Sequence, residues 1–474
     1  MSERTLSAHT PVLSGGRTRP RRTGIVLAVL LTCQLMIILD ATVMNVALPR
    51  IQADLHFSQT GLSWVLNAYT LVFGGLLLLG GRMGDYFGRR RTFLAGITLF
   101  TLASLAGGLA DSATWLLVAR IVQGLGAAAA GPSTLALIAT TFTEARERMR
   151  ALALFSGMSN AGLAVGLLLG GLLTEWLSWR WALFINVPFG LFAVVLGLRH
   201  LADPPRRRAG LDLPGAITAT GGVAAIVYGF ISAASEGWGT TTTLVSLAVG
   251  LVLLAAFVVI EVRAPQPLMP LRLFKDRNRA TAYVNFFLGP MAGMSMFFFL
   301  TQYLQDVRGF TALQTGFAFL PMALLVFTLS RFIPRLLPRF GPKPTALAGT
   351  LSMIAGVLVL TQLTTGSGYF PLVLVPMVLM GIGMGLAFAP LNVIIMGSVP
   401  PEDAGAAGGV LQTMQQTGAT LGLAILVTVF GSATRGVAGS PQEVLVTGMT
   451  HAFVAAAVIA ACAFAVALTF KRTR

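Results

Sequence analysis

The sequence predicts an all-α polytopic membrane protein with 14 transmembrane helices, and three observations carry that prediction. Only 11% of the 474 residues are charged, 55% are hydrophobic and the mean hydropathy is +0.79. A soluble chain carries about 25% charged residues. The charges are also bunched, leaving tracts of 18 to 26 uncharged residues, and about 20 apolar residues are enough for a helix to cross a bilayer core. Finally, with the N-terminus in the cytoplasm, 28 of the 33 Lys and Arg fall on the cytoplasmic side, the bias that orients multi-pass proteins.

The spans follow in order. A polar, basic tail (1–23) precedes the first, Gly24–Leu48, which only Asp40 interrupts. That apolar run exceeds a signal peptide's core, so the span is expected to remain uncleaved. The second and third lie between His56 and Arg82 and between Arg91 and Asp111; the fourth, Thr114–Ile138, is broken only by Arg120. Arg150 to Glu175 and Arg180 to Arg199 enclose the fifth and sixth. Asp212 to Glu236 and Glu236 to Glu261 enclose two more, and the ninth and tenth fill Arg279 to Asp306 and Arg308 to Arg331. The uncharged stretch from Lys343 to Glu402 is too long for one helix, and the polar TTGSG at Thr364–Gly368 divides it. Ala404–Phe430 and Thr450–Phe470 complete the set.

On this assignment both termini are cytoplasmic. Arg50, Arg180, Arg308 and Arg435 fall outside and Arg120 is embedded. All six Trp (Trp64, Trp115, Trp176, Trp179, Trp181, Trp238) fall at predicted outer span ends, as an interfacial aromatic belt would place them. The net charge of +16 is then a topology signal, and with no soluble face to carry it, no nucleic-acid partner is expected. Cys33 and Cys462 fall inside spans, so no disulfide is expected.

Several function classes drop out. The three lysines follow Phe274, Pro342 and Phe470, so no Walker A loop exists. The four histidines (His9, His56, His200, His451) are scattered without an HExxH, and no GxSxG nucleophile elbow occurs. An enzyme, a metal site and a cofactor are therefore not expected. A channel would want a ring of like charges or a filter motif, and neither is present.

The stretch GRMGDYFGRRR, Gly81–Arg91, sits at a predicted inner loop, where Gly81 and Gly88 permit a tight turn. It resembles the GxLxDRxGRRR loop signature of the major facilitator superfamily, with Met83 and Tyr86 as departures. PRLLPRFGPKP, Pro334–Pro344, echoes it, Gly341 matching Gly88 and Pro338 standing where Asp85 does. LDATVMNVALP in span one, RIVQGLGAA (Arg120–Ala128) in span four and WLSWRWALFINVPFG (Trp176–Gly190) look like stretches of the fourteen-span drug:proton antiporter family. The resemblance implies the major facilitator fold in a 6 + 2 + 6 arrangement: an N-terminal six-helix half (24–200), two inserted helices with their loops (201–279) and a C-terminal six-helix half (280–474). Internal repeats around a midplane site are common in secondary transporters. The family's span-five motif GxxxGPxxGG appears as GLAVGLLLGG, Gly162–Gly171, with Leu167 in place of the proline. Gly162, Gly166, Gly170 and Gly171 still form a helix-packing seam, but Leu167 weakens the inference of antiport direction.

A carboxylate deep in a span costs about 3 kcal/mol on insertion scales, so Asp40 is expected to face the protein interior and to alternate between a proton and a cationic substrate. A carboxylate capped by Thr42 is the structural alternative. The resemblance implies that Arg120 assists proton movement; an arginine does not release its own proton, so that role is electrostatic. Asp85, with Arg89 and Arg90, reads as a conformational switch loop, and the resemblance implies that Asp85 contacts a helix N-terminus near Ala404–Gly409 in one access state. Asn45 lies about 140° from Asp40 around the helix, in line with Gln34, Ile38 and Ala41, and reads as an interhelical hydrogen-bonding group, with a place in the substrate cavity as the alternative. Asn285, Gln302 and Tyr303 in the aromatic- and Met-rich span nine, and Tyr69 in span two, are substrate-cavity candidates. A break is expected at Gly289-Pro290.

These readings converge on a monomeric, proton-coupled exporter of lipophilic, cationic or neutral drugs, whose partners are a small-molecule substrate, protons and membrane lipids. Transport of a narrow metabolite or lipid on the same fold is the alternative.

Overall fold

The computed structural model describes residues 20–203, 212–399 and 404–471. Most of the basic tail, Arg206 to Arg208 and Glu402 lie outside those residues. Among the described residues every regular element is helical. The first group comprises α1 (Pro20–Leu55), α2 (Trp64–Phe87), α3 (Arg89–Gly108), α4 (Ala113–Thr141), α5 (Ala145–Trp176), the short α6 (Trp181–Phe184) and α7 (Asn186–His200). A hairpin follows, α8 (Leu213–Glu236) and α9 (Thr241–Arg263). The last group is α10 (Arg277–Gln302), α11 (Ala312–Phe340), α12 (Pro342–Leu360), α13 (Leu374–Gly397), α14 (Ala404–Thr434) and α15 (Pro441–Leu468).

Thirteen stretches are long and apolar enough to cross a membrane, α6 and α7 together making one of them. The stretch expected to be the fifth span is helical as α5, but its described apolar part, Ala161–Trp176, is shorter. The expected count of 14 is therefore 13 on length and apolarity among the described residues.

The helix ends follow local sequence. Ser112 accepts the Trp115 N–H at the start of α4, and Thr311 with Gln314 and Ser440 with Glu443 form reciprocal capping boxes on α11 and α15. The two related turns use the same device. Gly88, at φ 102°, separates α2 from α3, and Gly341, at φ 78°, separates α11 from α12, a conformation glycine adopts without steric cost. Two local expectations are corrected. Gly81 is not part of the turn: with no breaker before Gly88, α2 stays helical to Phe87, and a Cβ at Gly81 would lie 3.7 Å from Pro132 of α4. Nor does α10 break at Gly289-Pro290; it runs on to a π-helical turn at Tyr303–Val307. Packed neighbours in a membrane helix can satisfy the groups a proline frees.

Within the first group α4 packs on α2 and α3, while α1 packs on α5 and α7; within the last, α10 packs on α14 and α15, and α13 on α11 and α12. The hairpin lies on α14 and α2 through α8, and α9 turns Leu251, Val252 and Val262 outward. The two groups meet along α5–α11 and α2–α14. The apolar core is asymmetric along the long axis. At the Leu55 end of α1 one cluster joins both groups, from Val43 and Val46 to Phe299, Phe319, Met377 and Phe453. At the Pro20 end there are two clusters. One, around Val29, Phe93 and Ile138, belongs to the first group; the other, around Tyr283, Ile395 and Ala407, belongs to the last, with Leu78 of α2 packed against it.

Candidate functional site: a buried ion pair between α1 and α4

The face of α1 that carries Asp40 turns toward α4, and there the carboxylate meets Arg120. Both side chains are fully buried, with Arg120 Nη1 2.5 Å from Asp40 Oδ2. Burying two charges in a low-dielectric interior is costly unless the remaining donors and acceptors are also satisfied. Most are. Arg120 Nε donates to the Val65 carbonyl (2.9 Å) and Nη1 to Gln123 Oε1 (2.9 Å), and the guanidinium lies over the Tyr69 ring, 4.5 Å from its centroid. On the other side Asp40 Oδ1 accepts from Gln123 Nε2 (3.0 Å) and Asn186 Nδ2 (3.2 Å), and Gln123 Nε2 also donates to Ser104 Oγ (2.7 Å). Arg120 Nη2, Asn186 Oδ1, the Tyr69 hydroxyl and both polar atoms of Asn67 are buried without a hydrogen-bond partner.

Arg120 therefore keeps partners on α2 and α4 that do not depend on the charge of Asp40. Neutralising Asp40 removes one attraction and leaves the arginine's carbonyl, amide and aromatic contacts in place. The Thr42 cap does not form: that hydroxyl donates to the carbonyls of Ile38 and Leu39 instead.

The other sequence-predicted residues lie elsewhere. Asn45 Oδ1 accepts from Thr301 of α10 at 3.0 Å, an interhelical bond between the two groups. Gln302 is buried and donates to Phe298 of its own helix, and the Tyr303 hydroxyl donates to the carbonyls of Thr364 and Ser367. Both residues thus sit at the fused Leu55 end. Asn285 donates to Thr281 and, with Gly289, Thr350, Met353 and Phe388, lines a small cavity inside the last group. Asp85 forms an ion pair with Arg89 at 2.9 Å, and Arg90 donates to the Leu198 carbonyl. The side chain of Ala404, part of the expected Asp85 contact, lies outside the described residues.

The α5 glycines form a two-sided seam. A Cβ on Gly166 would come within 1.8 Å of Thr42 Oγ1, and one on Gly170 within 2.9 Å of the Val43 backbone, so α1 rests on this face. Gly162 faces Ile38. Gly171 faces the start of α11 instead, where a Cβ would come within 2.7 Å of the Ala312 carbonyl oxygen, and a Cβ on Gly316 of α11 would come within 2.5 Å of the Leu167 carbonyl oxygen. Nearby, Leu313 N–H donates to Glu175 Oε2 (2.9 Å) and Gln305 Nε2 to the Val46 carbonyl (2.9 Å), adding hydrogen bonds between the groups.

Sequence reading missed Gln123, Asn186, Ser104 and Asn67. Gln123 stands three residues after Arg120 on the same helix face, a spacing that could have identified it. Asn186 is an amide in an apolar run, a signal of the same kind as Asn45. Ser104 carries no such signal, because a lone serine in a span normally bonds its own helix, as this one also does through the Phe100 carbonyl.

Residues 30–423 match the family described as the Major Facilitator Superfamily. The chain is 43% identical over 440 residues to the puromycin resistance protein pur8 of Streptomyces alboniger, covering 91% of this chain and 87% of that protein. It is 42% identical over 447 residues to the cephamycin export protein CmcT of Amycolatopsis lactamdurans, covering 93% and 91%. The tetracenomycin C resistance and export protein of Streptomyces glaucescens is 36% identical over 427 residues, covering 90% and 78%. Among solved structures, an auto-inhibited POT family peptide transporter superposes with a TM-score of 0.69 at 18% identity, covering 96% of this chain and 98% of that one. The nucleoside transporter NupG gives 0.66 at 14%, covering 94% and 100%. At those identities the likeness is one of fold.

Proposed function

We propose that this chain, which belongs to the major facilitator superfamily, is a proton-coupled secondary transporter that exports lipophilic, cationic or neutral drugs or antibiotics across the cytoplasmic membrane. The observation that carries this reading is the Asp40–Arg120 pair, with both side chains fully buried inside the first group of helices. A carboxylate kept at that depth, against its insertion cost, marks an ion or substrate pathway. The names of the relatives, an antibiotic resistance protein and two export proteins among them, supply the substrate class. Proton entry driven by the membrane potential provides about 2.3 kcal/mol per charge per 100 mV. The reading involves no catalysis, cofactor, metal or nucleic acid, and takes the working unit as a monomer.

With the termini in the cytoplasm, the fused Leu55 end is extracellular and the divided Pro20 end cytoplasmic, so this conformation faces inward. It is the state in which an exporter loads. The α1–α7 and α10–α15 groups act as two six-helix halves that rock against each other, with α8–α9 inserted between them in a 6 + 2 + 6 order. The α5 glycines are the surface on which α1 and α11 slide. Asp85, paired with Arg89 in this state, reaches the start of α14 when the cytoplasmic ends close, and the dipole there favours an anion.

The test uses purified protein in liposomes with a fluorescent cationic dye and an imposed pH gradient, comparing wild type with Asp40→Asn. Uphill dye movement that depends on the gradient and disappears in Asp40→Asn is the expected result. Wild-type protein that moves no dye under the gradient would redirect the reading to a narrow metabolite or lipid substrate. An active Asp40→Asn protein would remove the carboxylate from the coupling step.

A further inference from the structure

The side chains around Asp40 differ in what they can do once its charge is gone. A carboxylate only accepts hydrogen bonds, whereas a carboxylic acid also has an O–H that needs an acceptor. Every group bonded to Asp40 in this structure is a donor: Arg120, Gln123 and Asn186. The network as it stands serves the charged form alone.

Two of those three partners cannot change. Arg120 has no acceptor atom. Gln123 is committed at both ends, its Oε1 accepting from Arg120 and its Nε2 donating to Asp40 and Ser104. Ser104 in turn gives its own proton to the Phe100 carbonyl. Asn186 is different. Its Nδ2 donates to Asp40 Oδ1, while its Oδ1 is buried and unpartnered. Leaving a buried acceptor unsatisfied is unfavourable, and half a turn about the last side-chain bond would exchange the two atoms.

We propose that Asn186 is the positioning residue that accommodates both protonation states of Asp40. A proton from solvent bonds to Asp40 Oδ1; the Asn186 amide turns; the Nδ2–H···Oδ1 bond is replaced by an O–H···O bond from Asp40 to Asn186 Oδ1. Arg120 stays on the Val65 carbonyl, Gln123 and the Tyr69 ring throughout. On release the proton returns to solvent and the amide turns back. This rests on the reading of Asp40 as the proton carrier.

The titratable groups around Asp40 are Arg120 on α4 and Tyr69 on α2, with Cys33 of α1 near Tyr69. α7 contributes only Asn186 here, its Arg199 and His200 lying at its far end. Glu175 of α5 and Asp306, beyond α10, lie toward the Leu55 end. The Tyr69 hydroxyl is the other buried group without a partner, but it makes no bond to Asp40.

The experiment measures proton-driven dye transport in proteoliposomes over a pH series, for wild type, Asn186→Leu, Asn186→Ala and Asn186→Ser. In the Leu and Ala proteins the charged form loses only the 3.2 Å bond and keeps Arg120 and Gln123 as donors, whereas the neutral form loses the acceptor for its O–H. The pH at half-maximal transport therefore moves toward acid by about one unit. The serine hydroxyl can accept, so Asn186→Ser stays near wild type. A midpoint that moves toward alkaline pH would mean that Asn186 acts only as the donor seen here, and would overturn the proposal. So would an unmoved midpoint, or a shift produced by Tyr69→Phe and by none of the Asn186 variants. Loss of proton-driven transport in Asp40→Asn with no shift in the Asn186 proteins sinks this inference alone; wild-type protein without proton-driven transport sinks the function on which it rests.

Discussion

The interior of α1–α7 and the interior of α10–α15 are built from different material. The first encloses a carboxylate, a guanidinium and a set of amides and hydroxyls that bond across helices, and all four ion pairs among the described residues belong to it or to its loops. The second encloses aromatic rings and methionines: Phe299 stacks on Phe430 with centroids 5.4 Å apart, Phe297 on Phe319 at 5.2 Å, with Met322, Met353, Met377 and Met380 buried around them. Several of its buried polar groups, such as Asn285, Gln302 and Thr350, bond back to their own helix. Under the proposed function, this contrast lets one transporter couple a specific ion to unspecific cargo. Charge chemistry needs fixed partners, which the first half supplies, while varied lipophilic molecules need surfaces that repack, as flexible Met side chains allow.

The comparison breaks most sharply at Arg120. Arg120→Leu leaves Asp40 buried and unpaired, and removing one partner of a buried pair costs about 3–5 kcal/mol. A large fall in the thermal unfolding temperature of the detergent-solubilised protein is expected, mostly recovered when Asp40→Leu is added. If the single and double variants are equally unstable, the pair is not what organises the first half.

Next in size is the glycine seam of α5 against α1. Gly166→Leu forces a side chain into Thr42 and is expected to cost about 1–3 kcal/mol and to abolish transport. Gly81→Ala, where a Cβ meets Pro132 at an ordinary 3.7 Å, should change either quantity little. Melting curves and dye transport on both proteins separate a close-packed seam from a general intolerance of added bulk.

Asp85→Asn is expected to slow turnover several-fold, the scale of an interaction of about 1 kcal/mol between a carboxylate and a helix N-terminus, while equilibrium dye binding stays near wild type. Lost binding would instead place Asp85 in the substrate path. The smallest effect is expected at the other end. Glu175→Gln keeps an acceptor for the Leu313 N–H but removes the charge at the start of α11. Distances between spin labels on α5 and α11 should report a modest gain in separation at the Leu55 end, within about 1 kcal/mol. A wholesale opening would show that this one contact holds the end shut.

The parts of this protein that were legible before folding depend on short windows of chain. Hydropathy over about 20 residues marked the helices, the spacing of Lys and Arg oriented them on paper, and the glycines at 88 and 341 announced the two related turns because a positive φ is a single-residue demand. Asp40 and Arg120 stood out for the same reason, each a charge where the rest of its expected span had none. Two local signals misled. Gly81 serves packing rather than turning, and Pro290 does not interrupt α10, because neighbouring helices override a breaker in a close-packed bundle. What only packing could decide is which groups meet. Asp40 and Arg120 are 80 residues apart, Asp40 and Asn186 146, Asn45 and Thr301 256. No window of sequence contains such a pair. Helix crossing angles and glycine contacts set those distances, and with them whether a buried carboxylate finds a partner that can serve its charged and its neutral form.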